Sequence, residues 1–146
     1  FSNRTRKLDI GDYLERIVSN TIESIMGFES TIQFKVNCNP ITISNRQASD
    51  IAIIVNEVCI NACKYAFEGG SGEFTVVLKE ENNNTLELLI SDSGNGFPPD
   101  FDYNSATSFG LKMIRVLVES LEASIKVDSS DLGLSYHLII PKDHDE

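Results

Sequence analysis

The centre of the chain, from Val55 to Phe67, reads Val-Asn-Glu-Val-Cys-Ile-Asn-Ala-Cys-Lys-Tyr-Ala-Phe, a mostly apolar segment that carries three functional polar groups. Positions 57, 61 and 64 are separated by four and three residues, so on a helix their side chains project from one face. Asparagine is a weak helix former, and inside an apolar stripe it needs a local partner. The segment therefore predicts a helix that presents Glu57, Asn61 and Lys64 to a ligand.

This helix is predicted to extend from Arg46 to Phe67, because apolar residues recur along it every three or four positions. A turn at Ser44-Asn45 is predicted before it, and Gly69-Gly70 lies beyond its end. The stripe that we expect to be buried consists of Ile51, Ile54, Val55, Val58, Cys59, Ala62 and Ala66.

A second polar cluster, Asp92-Ser-Gly94-Asn-Gly96, directly follows an apolar segment that is predicted to be a buried strand, Leu86–Ile90. The two glycines let the backbone turn tightly against a ligand, and a carboxylate there can accept a hydrogen bond from the amino group of a base. An ordinary strand-ending turn has the same pattern. The position of the cluster after a buried strand favours a nucleotide site.

Periodicity and turn signals divide the rest of the chain. Helices are predicted at Asp9–Met26 and Gly110–Leu121, strands at Thr31–Val36, Pro40–Ile43, Phe74–Leu78, Ser124–Val127 and Leu134–Ile140, a lid at Gly94–Phe109 and a frayed tail at Lys142–Glu146. This order predicts a single α+β domain, a two-layer α/β sandwich with its helices on one face of a mixed sheet.

Composition limits the partners of this domain. The formal net charge of −10 argues against nucleic acid, whose binding depends on neutralising phosphates with Lys and Arg. An anionic nucleotide is compatible with that charge where local cations, backbone N–H groups and a divalent metal compensate. No apolar run approaches the roughly 20 residues that cross a bilayer, and residues 1–7 lack the apolar stretch and small-residue cleavage site of a signal peptide. We expect a cytoplasmic domain without membrane contact.

The three cysteines, Cys38, Cys59 and Cys63, lack the spaced second pair of a zinc site and are predicted to be small core residues. Cys59 and Cys63 are one helical turn apart, which leaves a metal or redox role as a lesser alternative. We assign no chemistry to His137 or His144, because neither has a neighbouring nucleophile or ligand set.

The polar residues of the central helix have two interpretations. A glutamate on a helix often pairs with a nearby lysine, and a helical lysine is often solvated. As site residues, Glu57 would orient or deprotonate an attacking group and the Asn61 carbonyl would ligate Mg2+. Lys64 would face a phosphate, and Tyr65 would wall a purine pocket. Gly110 precedes a helix whose unpaired N–H groups attract anions.

These motifs resemble the catalytic ATP-binding domain of sensor histidine kinases, in the GHKL group. Residues 55–67 resemble its N box, residues 92–96 its G1 box, and residues 108–114 its G2 box at the end of an ATP lid. The resemblance covers nearly the whole chain and implies a Bergerat-type fold that binds ATP and Mg2+. It implies that Glu57 is the base, Asn61 the Mg2+ ligand and Asp92 the group that recognises the adenine amino group.

The implied nucleotide-binding residues are Asn61, Lys64, Tyr65, Asp92, Gly94, Gly96, Gly110, Leu111 and Lys112. The chain is most similar to the short-lid subgroup related to the HWE kinases, although it lacks the tryptophan of the motif that names that group. Gly133-Leu134 stands where many relatives have Gly-Thr near the adenine, and Ser135 is the candidate to replace that hydroxyl.

The resemblance also implies partners. A histidine on a dimerising helical domain of the parent protein would accept the γ-phosphoryl group, and a response regulator would receive it indirectly. That helical domain is absent from this sequence, so we expect an excised catalytic domain that barely autophosphorylates alone. Two alternatives stay open: an anti-sigma-type serine kinase of the same fold, and a non-enzymatic interaction module that has lost nucleotide binding.

Overall fold

The computed structural model of the protein describes residues 5–82, 84–94 and 109–143. A short 3-10 helix, Glu68–Gly70, joins the long second helix to the sheet. The strands and α-helices of the described ranges are β1 (Thr5–Leu8), α1 (Ile10–Met26), β2 (Thr31–Cys38), β3 (Ile41–Ser44), α2 (Asn45–Tyr65), β4 (Ser71–Asn82), β5 (Thr85–Asp92), α3 (Phe109–Ser120), β6 (Ser124–Ser130) and β7 (Gly133–Pro141).

Five of these strands form one mixed sheet in the order β2-β4-β5-β7-β6. β2 pairs with β4 in parallel, and the other neighbours are antiparallel. Alternate residues of β5, Leu86, Leu88 and Ile90, are buried beneath the helical layer, because successive side chains of a strand point to opposite faces. The predicted α+β architecture, with helices on one face of a mixed sheet, is confirmed.

The helices begin and end at identifiable caps. Asp9 caps α1, since its carboxylate accepts a hydrogen bond from the Asp12 N–H at 3.3 Å. Ser44 caps α2, since its hydroxyl oxygen accepts the Gln47 N–H at 3.1 Å. The predicted turn at Ser44-Asn45 is therefore wrong: the last residue of β3 is itself the N-cap, so strand and helix are joined without a loop.

Two features of the fold were not predicted from the sequence: the strand β1 and the ordered start of the C-terminal tail. β1 pairs antiparallel with β3, although its exposed Arg6 and Lys7 give it no strand-like pattern. The tail is not frayed at Lys142 and Asp143. The ammonium group of Lys142, a residue only 9% exposed, lies 2.9 Å from Glu80 Oε2. Residues 144–146 lie outside the described residues, as does most of the predicted lid.

The core lies between the helices and the covered face of the sheet. It includes Cys59 and Cys63, as predicted, and Cys38 packs against its edge. Burial and the negative charge of Asp9 raise the pKa of Cys38 to about 11, which keeps this thiol protonated. Among the residues that the structure describes, no helix combines the length and apolar character needed to span a membrane.

Candidate functional site

The C-terminal half of α2 has one buried and one accessible side. Val58, Cys59 and Ala62 pack in the core, whereas Glu57 and Asn61 are half-buried on the other side. The predicted buried stripe along this helix is confirmed as far as Ala62, but the helix ends at Tyr65 and not at Phe67, and Ala66 is only partly buried. Lys64 is exposed, and Tyr65, the last residue of the helix, is 72% exposed. Phe67 lies in the core instead, so of these two aromatic side chains Tyr65 is the one that is accessible to a ligand.

The first turn of α3 lies against this accessible side of α2. A methyl group built on Gly110 would lie 2.7 Å from Glu57 Oε2 and 3.8 Å from Asn61 Oδ1. The absence of a side chain at position 110 therefore allows the close approach. Leu111 is only 6% exposed and fixes this turn in the core, whereas Lys112 points to solvent. Any contact of Leu111 with a ligand would involve its backbone.

Asp92 ends β5 and continues the row of Leu88 and Ile90, so it lies on the side of the sheet that faces the helices. Its Oδ1 accepts the Gly94 N–H at 2.9 Å and the Leu134 N–H at 3.3 Å. Burial raises the pKa of Asp92, and these two backbone hydrogen bonds lower it in part. The carboxylate is thus held in a fixed orientation in a poorly solvated place.

Two glycines bring three chain segments together around Asp92. Gly94 is buried against Ala66 at the end of α2, where a side chain at position 94 would overlap the backbone of Ala66. Gly133, with φ of 135°, packs directly on the Asp92 carbonyl oxygen. The end of α2, the turn after β5 and the start of β7 therefore meet at one place. The sequence motifs contain Gly94 but give no signal for this role of Gly133.

Ser135 does not replace the hydroxyl that the resemblance led us to seek. It is paired with Ser91 in the sheet register and lies on the uncovered face with His137, because alternate residues of β7 point away from the helices. The adjacent Leu134 contributes through its backbone N–H instead. A second contact without sequence signal joins the turn to β4: the Glu73 N–H donates to Ser93 Oγ at 2.8 Å.

The side chains of Glu57 and Asn61 and the start of α3 provide the groups that a nucleotide with its metal ion requires. The carboxylate of Glu57 and the amide oxygen of Asn61 are hard oxygen ligands of the kind that Mg2+ prefers. The N-terminus of α3, whose helix dipole favours anions, lies next to them. The residues present therefore fit a metal-bound polyphosphate. Gly96 and most of the predicted lid, residues 95–108, lie outside the described residues and stay predictions.

The family model of the histidine kinase-like ATPase domain matches residues 31–133. A curated relative, blue-light-activated histidine kinase 2 of Erythrobacter litoralis, is 29% identical over 92% of this chain and 38% of its own length. The sensor histidine kinase PdtaS of Mycobacterium tuberculosis is 26% identical over 68% of this chain and 20% of its own length. The chain thus spans well under half of either curated relative.

Solved structures have the same fold. The histidine kinase domain of the E. litoralis EL346 protein superimposes with a TM-score of 0.83 at 28% identity, over 97% of this chain and 70% of that one. The catalytic domain of the histidine kinase ThkA, at 14% identity, has a TM-score of 0.72 over 95% of this chain and 96% of that one. With the family match extending from β2 to the start of β7, this chain belongs to the histidine kinase-like ATPase domain family.

Proposed function

We propose that this domain binds Mg-ATP and transfers the γ-phosphoryl group to a histidine on a separate helical domain of a two-component sensor kinase. The observation that carries the proposal is the approach of α3 to α2: a methyl group built on Gly110 would lie 2.7 Å from Glu57 Oε2. A helix N-terminus beside two oxygen ligands is suited to a metal-bound polyphosphate.

Each residue of the site has a role in this proposal. The adenine amino group donates to Asp92 Oδ2, since both hydrogen bonds to this carboxylate from the described residues use Oδ1. Asn61 holds Mg2+, which offsets the charge of the phosphates when bound. Glu57 orients or deprotonates the attacking imidazole. The exposed Lys64 and Lys112 supply cations near the phosphates.

Calorimetric titration with ATP, with and without Mg2+, tests the proposal. We expect saturable binding that requires Mg2+ and that Asn61→Asp abolishes. Asn56→Asp is the matched control, because Asn56 lies on the same helix and its Oδ1 accepts a hydrogen bond from Thr21 Oγ at 2.6 Å on the side of α1. Absence of binding at millimolar ATP, or equal loss in both variants, would contradict the nucleotide site and favour the interaction module.

The acceptor is tested in the longer parent chain. Transfer to histidine yields an acid-labile phosphoramidate, whereas transfer to serine yields an acid-stable ester. We expect acid-labile label in the parent chain and almost none on this domain alone. Acid-stable label on a partner protein would instead identify the serine kinase alternative.

A further inference from the structure

The N-terminal end of α2 carries a network of polar contacts that no motif includes. We call Ser44, Arg46, Gln47 and Asp143 the clasp. Ser44 Oγ donates to Asp143 Oδ2 at 2.6 Å, and Arg46 Nη2 donates to Asp143 Oδ1 at 2.9 Å. The Asp143 N–H donates to Gln47 Oε1 at 2.9 Å, and Gln47 Nε2 donates to the Pro141 carbonyl at 2.6 Å. The clasp therefore fixes the chain leaving β7 to the start of α2.

Arg46 extends the clasp to a third element. Its Nη1 donates to the carbonyl oxygen of Ser120, the last residue of α3, at 3.0 Å. The side chains of Arg46 and Asp143 are only 27% and 16% exposed, so water competes weakly for their ion pair, whereas the hydrogen bond to Ser120 lies at the exposed surface. One guanidinium group thus joins the end of α3 to Asp143, with the fork geometry that lysine lacks.

α3 connects the clasp to the candidate site. It has 12 residues and a length of about 18 Å; its first turn contacts Glu57, and its last carbonyl accepts the hydrogen bond from Arg46. Because α3 is one continuous helix, a displacement of its end at Ser120 would also displace Gly110 at its start. Arg46 itself is about 16 Å along α2 from Glu57, too far to contact a ligand bound there.

We propose that Arg46 is a positioning residue: its guanidinium, anchored by Asp143, fixes α3 along α2 and so sets where Gly110 lies over Glu57 and Asn61. This inference rests on the proposed function, because its effect is measured as nucleotide affinity. Arg46 lies outside every motif of the site. According to this inference, it nevertheless controls the position of the groups that would contact the phosphates.

The test compares Arg46→Met with Lys142→Met in the same chain. Lys142 is the matched control, because it belongs to the same tail and forms an ion pair of 2.9 Å, but with Glu80 of β4 and not with α3. Both variants are titrated with Mg-ATP well below their melting temperatures. We expect about tenfold weaker binding for Arg46→Met and a change of no more than about twofold for Lys142→Met.

Hydrogen exchange supplies a second readout that needs no nucleotide. Amides from Met113 to Leu117 should exchange faster in Arg46→Met and at the parental rate in Lys142→Met. Unchanged affinity and exchange in Arg46→Met, or an equal change in both variants, would overturn the inference. If the unsubstituted domain binds no nucleotide, the proposed function fails. The hydrogen-exchange rates of the two variants then test the positioning role of Arg46 by themselves. If Arg46→Met does not fold, Asp143→Asn replaces it in both measurements with the same expected direction.

Discussion

The polar side chains at the two ends of α2 differ in whether they are hydrogen-bonded within the described part of the chain. At the N-terminal end, Ser44, Arg46 and Asp143 satisfy one another through hydrogen bonds of 2.6 to 3.3 Å. At the C-terminal end, Glu57 and Asn61 are half-buried, yet neither side chain forms a hydrogen bond with any other residue in the described part of the chain. The first end resembles a protein interior, and the second presents carboxylate and amide oxygens of the kind found in binding sites.

This difference distinguishes the polar groups that stabilise the fold from those that are accessible to a ligand. Buried polar groups are normally paired, so a satisfied network stabilises the native state, whereas a cluster with open acceptors is a candidate for recognition. Near the open end, the close fit of Gly94 and Gly133 holds the chain in place together with the two backbone hydrogen bonds to the Asp92 carboxylate. Replacing the polar residues Glu57, Asn61 or Asp92 should therefore affect binding more than stability, whereas disturbing the glycine contacts or the clasp should lower stability.

Gly133→Ala should have the largest effect on stability. Its φ of 135° disfavours a side chain, and a methyl group there would overlap the Asp92 carbonyl oxygen. We expect a loss of about 3 kcal/mol or more in the free energy of unfolding, measured by urea denaturation. Gly69→Ala is the control: its φ of 78° is also positive, but nothing lies within 4 Å. A similar loss in both variants would show that the fit to Asp92 does not matter.

Asp143→Ala should be the most damaging side-chain truncation at the clasp. It leaves Ser44 and the partly buried Arg46 without their common acceptor. We expect a loss of about 2 kcal/mol in the free energy of unfolding, since removing one partner of a desolvated ion pair costs more than the pair itself contributes. A loss no larger than that of an exposed pair such as Arg16–Asp12 would contradict the role of the clasp.

Glu80→Gln should have a smaller effect that depends on pH. The hydrogen bond from Lys142 lowers the pKa of Glu80. A lowered folded-state pKa contributes stability above the ordinary pKa of glutamate, and this contribution is lost as the pH falls through the folded-state value. We therefore expect the variant to be less stable by about 1 kcal/mol at pH 7 and equal to the parent in strong acid, measured by thermal unfolding. A constant difference across pH would contradict this assignment.

The sequence predicted what depends on local pattern. The spacing of Glu57 and Asn61 on α2, and the position of Asp92 after an apolar strand, follow from periods of 3.6 and 2 residues. Contacts between distant segments had no such signal: Asp143 meets Arg46 from 97 positions away, and the Leu134 N–H meets Asp92 from 42. β1 is equally unpredictable from its own residues, because pairing with β3 creates it.

The most direct test of the contrast between the two ends is to measure both ATP affinity and melting temperature for Asp92→Asn. The variant amide can still accept both backbone N–H bonds, but its NH2 group would face the amino group of adenine. Because burial raises the pKa of Asp92, its ionised form costs stability as the pH rises through that value, and asparagine removes this cost. We predict undetectable Mg-ATP binding at pH 7 with a melting temperature no lower than that of the parent. Retained binding, or a melting temperature several degrees lower, would contradict the account.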